Sequence, residues 1–272
     1  MKALWTTALC ALALAASLPA LAATADSASI VRMSAAVTAH DGAPFLAGVE
    51  MQLEPGWKTY WKHPGDSGIA PAFDWSESEN IEDIDLSWPA PRRFDDPGDV
   101  TFGYLDQVTW PLRVKPVDAT LPAILRLSMS YGVCSDMICV PREAALTLTV
   151  PPAEEGARAE PSVDLMRLVG ALAHLPQPLD ADQAVAVGWR DAAAPVLEIE
   201  FTGCAPGCPA PQLIVDGPEG VWFGTPSVRR VGDVLRYSVE VGALSASVLE
   251  GERLGFIFAG PEEARIAWHT MP

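Results

Sequence analysis

Proline and glycine punctuate this chain so often that long helices have little room to form. There are 25 prolines and 21 glycines in 272 residues. Pro64, Pro71, Pro89, Pro91 and Pro97 alone break any helical run across the first half, because proline lacks the amide hydrogen and fixes φ. Between these breaks lie short apolar segments: PFLAGVEMQLEPGW, IEDIDLSWPAP, QVTWPLRVKP, ILRLSMSYGV and AALTLTVPP. Each reads as one strand bounded by Pro, Gly or Asp. Leu125, Leu127 and Met129 alternate with Arg126, Ser128 and Ser130, the period of a half-buried strand. Residues 28–152 therefore read as an all-β sandwich.

Pro151-Pro152-Ala153-Glu154-Glu155-Gly156 closes that half, and residues 153–177 read as a linker with one short helix. Leu165, Leu168, Val169 and Leu172 recur at helical spacing from Ser162 to about His174, and Pro176 ends the run. VAVGWR, VLEIEFTG, PQLIVDGP, LRYSVEV, RLGFIFAG and ARIAWHT then restore the strand-and-turn pattern. Residues 178–272 are expected to form a second β-sandwich, so the fold class is all-β with two domains. No internal repeat, phosphate loop or heptad pattern is legible.

The first 22 residues read as a cleaved secretory leader: Lys2, an apolar stretch from about Ala8 to Leu18, then Ala20-Leu21-Ala22. The apolar run is shorter than the ~20 residues a membrane span needs. Cys10 would leave with it. Export implies an oxidising compartment in which paired cysteines form disulfides. With 35 acidic and 18 basic side chains the formal charge is −17, and loss of Lys2 makes it −18. Such a surface repels nucleic acid and anionic membranes.

Of five cysteines, the mature chain keeps Cys134, Cys139, Cys204 and Cys208. Four cysteines allow three connectivities. Near-neighbour pairing closes small loops and yields only ~2 kcal/mol each, against ~4.4 kcal/mol for a Cys134–Cys204 bridge. Cys204 and Cys208 flank a Pro-Gly turn, where a bridge would staple a hairpin end as a structural element. Cys134 and Cys139 sit among Val133, Met137, Ile138 and Val140, an apolar rim suited to a partner protein. Asp136 lies in the loop, where a carboxylate would raise a thiol pKa.

Several motifs accompany that second pair: Gly56-Trp57-Lys58-Thr59-Tyr60-Trp61, Trp88-Pro89-Ala90-Pro91-Arg92-Arg93-Phe94, Phe102-Gly103-Tyr104, and Tyr131-Gly132-Val133-Cys134 leading to Cys139-Val140-Pro141. With them, residues from about Phe45 to Val150 resemble the N-terminal periplasmic domain of the thiol:disulfide interchange protein DsbD and its relative ScsB. The second half resembles the additional β-domain of ScsB-type proteins. The resemblance implies an immunoglobulin-like fold and a redox pair, Cys134 and Cys139, that takes electrons from a membrane-embedded partner. It implies protein-disulfide reductase-like relay to periplasmic thioredoxin-like proteins, with Cys139 forming the mixed disulfide. Tyr60 would line the site, and Phe102 or Phe94 would cap it. The cysteine loop is one residue shorter than in DsbD. Neither a transmembrane electron-transfer domain nor a thioredoxin-like domain is legible, so the reductant is expected to be a separate protein.

The remaining polar residues read plainly. Lys58, Lys62 and His63 suggest a solvated turn before Pro64. His40, His174 and His269 are scattered without metal-ligand spacing. Trp57, Trp61, Trp75, Trp88 and Trp110 are expected in the first core, and Glu77, Glu79, Glu82, Asp83 and Asp85 on a solvated acidic face. No hydrolase arrangement is legible, and no cofactor is expected. Two rivals use the same residues: a Cu(I) site from Cys134, Met137 and Cys139, since soft sulfur donors select Cu(I) and ScsB-type proteins are associated with copper tolerance, or a binding sandwich with two structural disulfides. On the rival in which Met137 is no ligand, it packs in the core.

Overall fold

The computed structural model describes residues 23–25, 28–36, 43–96, 98–152, 162–191, 195–205, 207–242, 245–261 and 263–272. The leader assigned to residues 1–22, His40 and linker residues 153–161 lie outside these.

The first domain contains β1 (Ala23–Ala25), β2 (Ser29–Ala35), β3 (Phe45–Leu53), β4 (Lys58–Gly65), β5 (Ala72–Asp74), β6 (Ile81–Leu86), β7 (Arg92–Asp96), β8 (Asp99–Leu105), β9 (Gln107–Pro116), β10 (Ala123–Cys134) and β11 (Cys139–Val150). One sheet runs β1-β2-β3-β9-β6 and the other β11-β10-β4-β8-β7, with β5 added on β10. The alternation read from sequence is what joins them. Leu125, Leu127, Met129, Tyr131 and Val133 of β10 are buried and meet Trp110, Leu112 and Val114 of β9 in one apolar cluster. Trp61 and Trp110 lie inside it, with Trp57, Trp75 and Trp88 packed at its margin. Glu77, Glu79, Glu82, Asp83 and Asp85 are exposed, as expected.

Helix α1 (Val163–Ala173) begins where Ser162 Oγ accepts the Leu165 N–H at 3.0 Å, a standard N-cap. It lies on β2, β3 and β9. Leu168 is fully buried over Gly48, where a Cβ would collide with the leucine's Cδ2. Arg167 reaches Glu50 at 3.1 Å. The buried line is Leu168 and Ala171, and Val169 is 51% exposed. Val169 sits ~100° round the helix from Leu168, so docking centred on Leu168 turns it outward.

The second domain contains β12 (Gln177–Pro178), β13 (Ala184–Asp191), β14 (Val196–Thr202), β15 (Gln212–Asp216), β16 (Ser227–Val231), β17 (Val234–Glu240), β18 (Arg253–Ala259) and β19 (Ala264–Thr270). Its sheets run β12-β19-β18-β15 and β13-β14-β17-β16. The first is apolar on both faces. Leu213, Val215, Phe256 and Phe258 enter the second core, while Ile214 and Ile257, from the same two strands, enter the core of the first domain. Two-sided burial explains why QLIVD and RLGFIFA read as near-continuous apolar runs. The chain is thus an all-β protein of two packed sandwiches.

One sequence expectation changes at their junction. Lys62 and His63 do not lie in a solvated turn: Lys62 Nζ is 2.8 Å and His63 Nε2 3.3 Å from Asp216 Oδ1 of the second domain. Asp216 is 7% exposed. Burial pushes its carboxyl pKa up, but the His63 contact and the Lys62 charge outweigh that and hold it below the ordinary aspartate value.

Candidate functional site

β10 and β11 form a long antiparallel hairpin whose register runs from Ala123 opposite Val150 to Cys134 opposite Cys139. The two cysteines are its last facing pair and are joined as a disulfide, with Cα atoms 4.0 Å apart. Ser135–Ile138 closes the hairpin: the Ser135 N–H donates to Ile138 O at 2.9 Å, and the Met137 N–H to Ser135 Oγ at 3.3 Å. Val133 faces the core, so the pleat turns Cys134 to the sheet's outer side. There it meets β4, where Lys58 stands opposite Cys134.

Two residues along β4, on the same side, Tyr60 donates its hydroxyl hydrogen to Cys134 Sγ at 2.9 Å, and its oxygen lies 3.4 Å from Cys139 Sγ. Tyr60 is 2% exposed. Burial, with the charges of Asp96 and Asp99 adding, raises its phenol above the ordinary value, so it remains a donor. The segment after β4 covers this ring. Gly68, with φ +113°, lies so close to Tyr60 that a Cβ there would collide with the ring. Ile69 packs on Gly132 and accepts that residue's N–H at 3.3 Å. The two sulfurs are consequently unequal: Cys134 has no exposed surface, whereas Cys139 is exposed at the hairpin end.

The other residues singled out from sequence are distributed around this pair. Lys58, opposite Cys134 in register, places its Nζ 4.8 Å from the centre of the Phe94 ring and pairs with Asp96. Phe102 is a core residue, 9% exposed, and the strand pleat puts it on the opposite face from Thr101, whose hydroxyl accepts from Lys58. It is not brought to the cysteines. Asp136 is exposed in the hairpin loop. Met137 is 91% exposed and Ile138 57%, so Met137 does not pack in the core. Among the described residues, no group of three or more His, Cys, Asp or Glu could hold a metal ion. Gly68 and Ile69 escaped the sequence reading, because PGDSG reads only as a turn.

Cys204 and Cys208 are also joined, with Cα atoms 6.0 Å apart. Gly207, at φ +88°, turns the chain, and the Cys208 N–H donates to Ala205 O at 3.0 Å. The Arg230 guanidinium donates to Cys208 O at 2.8 Å. The bridge follows β14 and precedes β15, which belong to different sheets. It therefore fastens a crossover between sheets, not the hairpin end expected from sequence.

The family model described as "Thiol:disulfide interchange protein DsbD, N-terminal" matches residues 27–151, the segment that carries the Cys134–Cys139 hairpin and Tyr60. Residues 27–151 are a DsbD-type N-terminal domain. The whole chain is similar to the crystal structure of the N-terminal periplasmic domain of ScsB from Proteus mirabilis, with 27% sequence identity and a TM-score of 0.72. That similarity covers 90% of this chain and 94% of the ScsB chain, so it takes in both sandwiches. Comparison with curated proteins finds no match. The family match and the ScsB likeness support a thiol–disulfide interchange module in residues 27–151. No helix among the described residues is long and apolar enough to cross a membrane.

Proposed function

We propose that this protein relays electrons in the periplasm by exchanging its Cys134–Cys139 disulfide with thioredoxin-like partner proteins. The observation that carries the reading is the inequality of the two sulfurs. Cys139 is open to an incoming thiolate, while Cys134 is buried beneath a hydroxyl donor. Exchange proceeds by thiolate attack on one sulfur with the other as leaving group. A partner thiolate attacks Cys139 Sγ, and the Cys134–Cys139 bond breaks. Its electron pair goes to Cys134 Sγ, where Tyr60 O–H meets the developing charge. The partner's second thiolate then attacks the partner sulfur of the mixed disulfide and releases Cys139. The partner leaves oxidised and this protein is left as the dithiol. The same steps run backwards when the partner is the stronger oxidant. The exposed Met137 and Ile138 border Cys139 with an apolar surface on which a partner can seat.

Trapping tests the proposal. Cys134→Ala leaves Cys139 without its internal partner, so an oxidised thioredoxin-like protein should be caught as a mixed disulfide. Cys139→Ala, which leaves the buried sulfur, should catch none. Equal trapping by both variants, or by neither, overturns the proposal.

A further inference from the structure

We propose that Trp222, in the second domain, is a positioning residue for exchange at the Cys134–Cys139 bond in the first. The inference deepens the exchange reading above and rests on it.

The connection is continuous. The Trp222 indole is seated on Gly224 and Gly242, where added Cβ atoms would lie 2.9 Å from Cη2 and 3.0 Å from Cε3. Its N–H donates to Asp66 Oδ1 at 3.0 Å across the domain junction. The other oxygen of Asp66 accepts the Val100 N–H at 2.9 Å, and the Asp66 N–H donates to Val100 O at 2.9 Å. Two residues later Gly68 lies on the Tyr60 ring, and Ile69 lies on Gly132. Tyr60 in turn donates to Cys134 Sγ. Upstream, Lys62 and His63 are held by Asp216 of the same second domain. The second domain therefore holds the chain at two points, on β4 at Lys62 and His63 and again at Asp66 in the covering segment.

This matters at one moment of the reaction. When the bond to Cys139 breaks, the electron pair collects on Cys134 Sγ, and a hydrogen bond to a charged acceptor is stronger than one to the neutral sulfur. The hydroxyl helps only if the ring stays where Gly68 holds it. Without the Trp222 hydrogen bond, Asp66 keeps its two bonds to Val100, but the covering segment loses its direct tie to the second domain, which then holds only Lys62 and His63 upstream of it. The Tyr60 hydroxyl is then less often aimed at the leaving sulfur.

The test uses the oxidised full-length protein and dithiothreitol, with quenched alkylation and mass analysis reporting each cysteine pair separately. Trp222→Phe keeps an aromatic side chain and removes the donor. It should slow reduction of Cys134–Cys139 about fivefold, the scale of one modest hydrogen bond, and leave Cys204–Cys208 unchanged. Asp66→Ala cuts the same link from the first domain and should slow that pair alike. Tyr60→Phe should slow it further, and Tyr60→Phe with Trp222→Phe should be no slower than Tyr60→Phe alone, because both act through one hydroxyl. A Trp222→Phe rate equal to wild type overturns the proposal. So does a Trp222→Phe effect that multiplies fully on Tyr60→Phe, since a merely structural role would do that. Failure of the trapping experiment would remove the thioredoxin-like partner yet leave this rate pattern intact, so the two ideas fail separately.

Discussion

The Tyr60 hydroxyl donates to Cys134 Sγ at 2.9 Å from the neighbouring strand, while Cys139 Sγ stands 3.4 Å from the same oxygen. The tyrosine thus favours the buried sulfur over the exposed one. After reduction the same hydroxyl is placed to stabilise a Cys134 thiolate, because hydrogen bonding to a charged form favours it. Tyr60→Phe should therefore raise the Cys134 thiol pKa, because the thiolate loses its hydrogen-bond donor. The change can be followed by ultraviolet thiolate absorbance in a Cys139→Ala background. Since the phenol itself lies above its ordinary value, the donor persists through neutral pH and is lost only as pH climbs past about 10.

Asp216 ties the two sandwiches through Lys62 and His63. Its carboxyl is held below the ordinary aspartate value, so its contribution to stability is present above about pH 4 and lost as pH falls through the lower folded-state value. Asp216→Asn should destabilise the protein at neutral pH by about 1–3 kcal/mol. Denaturant titrations of both proteins should show that difference shrinking below about pH 4. A difference that grows on acidification would contradict the assignment.

Gly68 combines a left-handed backbone with contact against an aromatic face. Gly68→Ala should cost about 2 kcal/mol or more, since the backbone penalty alone is about 1–2 kcal/mol and the methyl must displace the ring. Chemical denaturation measures the loss. Reduction of Cys134–Cys139 should slow in the same variant.

Met137 and Ile138 lie in solvent beside Cys139. Met137→Ser should leave stability within about 0.5 kcal/mol of wild type, because it removes no packing. If this surface seats a partner, the same change should lower the yield of mixed disulfide in the Cys134→Ala background. Unchanged trapping would move the docking surface elsewhere.

How far the sequence carries depends on whether a residue's surroundings are local. Alternation in β10 gives its core face directly, because Leu125, Leu127 and Met129 answer to strand period alone. Ser162 and the leucines locate α1 for the same reason, but Val169 could be excluded from the buried stripe only by knowing that Gly48 admits Leu168. Lys62 and His63 read as turn residues because their partner, Asp216, is more than 150 residues away. Phe94 and Phe102 both lie in the motifs that accompany the cysteines, yet the pairing of Phe94 with Thr101 and of Arg93 with Phe102 puts the two rings on opposite sides of the sheet. The cover over Tyr60 comes instead from Gly68, a residue with no side chain to attract notice.

The sheet carrying β15 and β18 has a consequence beyond the site. Ile214 and Ile257 point into the first domain while their neighbours Leu213 and Phe256 point into the second. Neither half can melt without exposing apolar surface that belongs to the other. Calorimetry should therefore record a single heat-absorption peak whose calorimetric and van't Hoff enthalpies agree, where two beads on a string would give two.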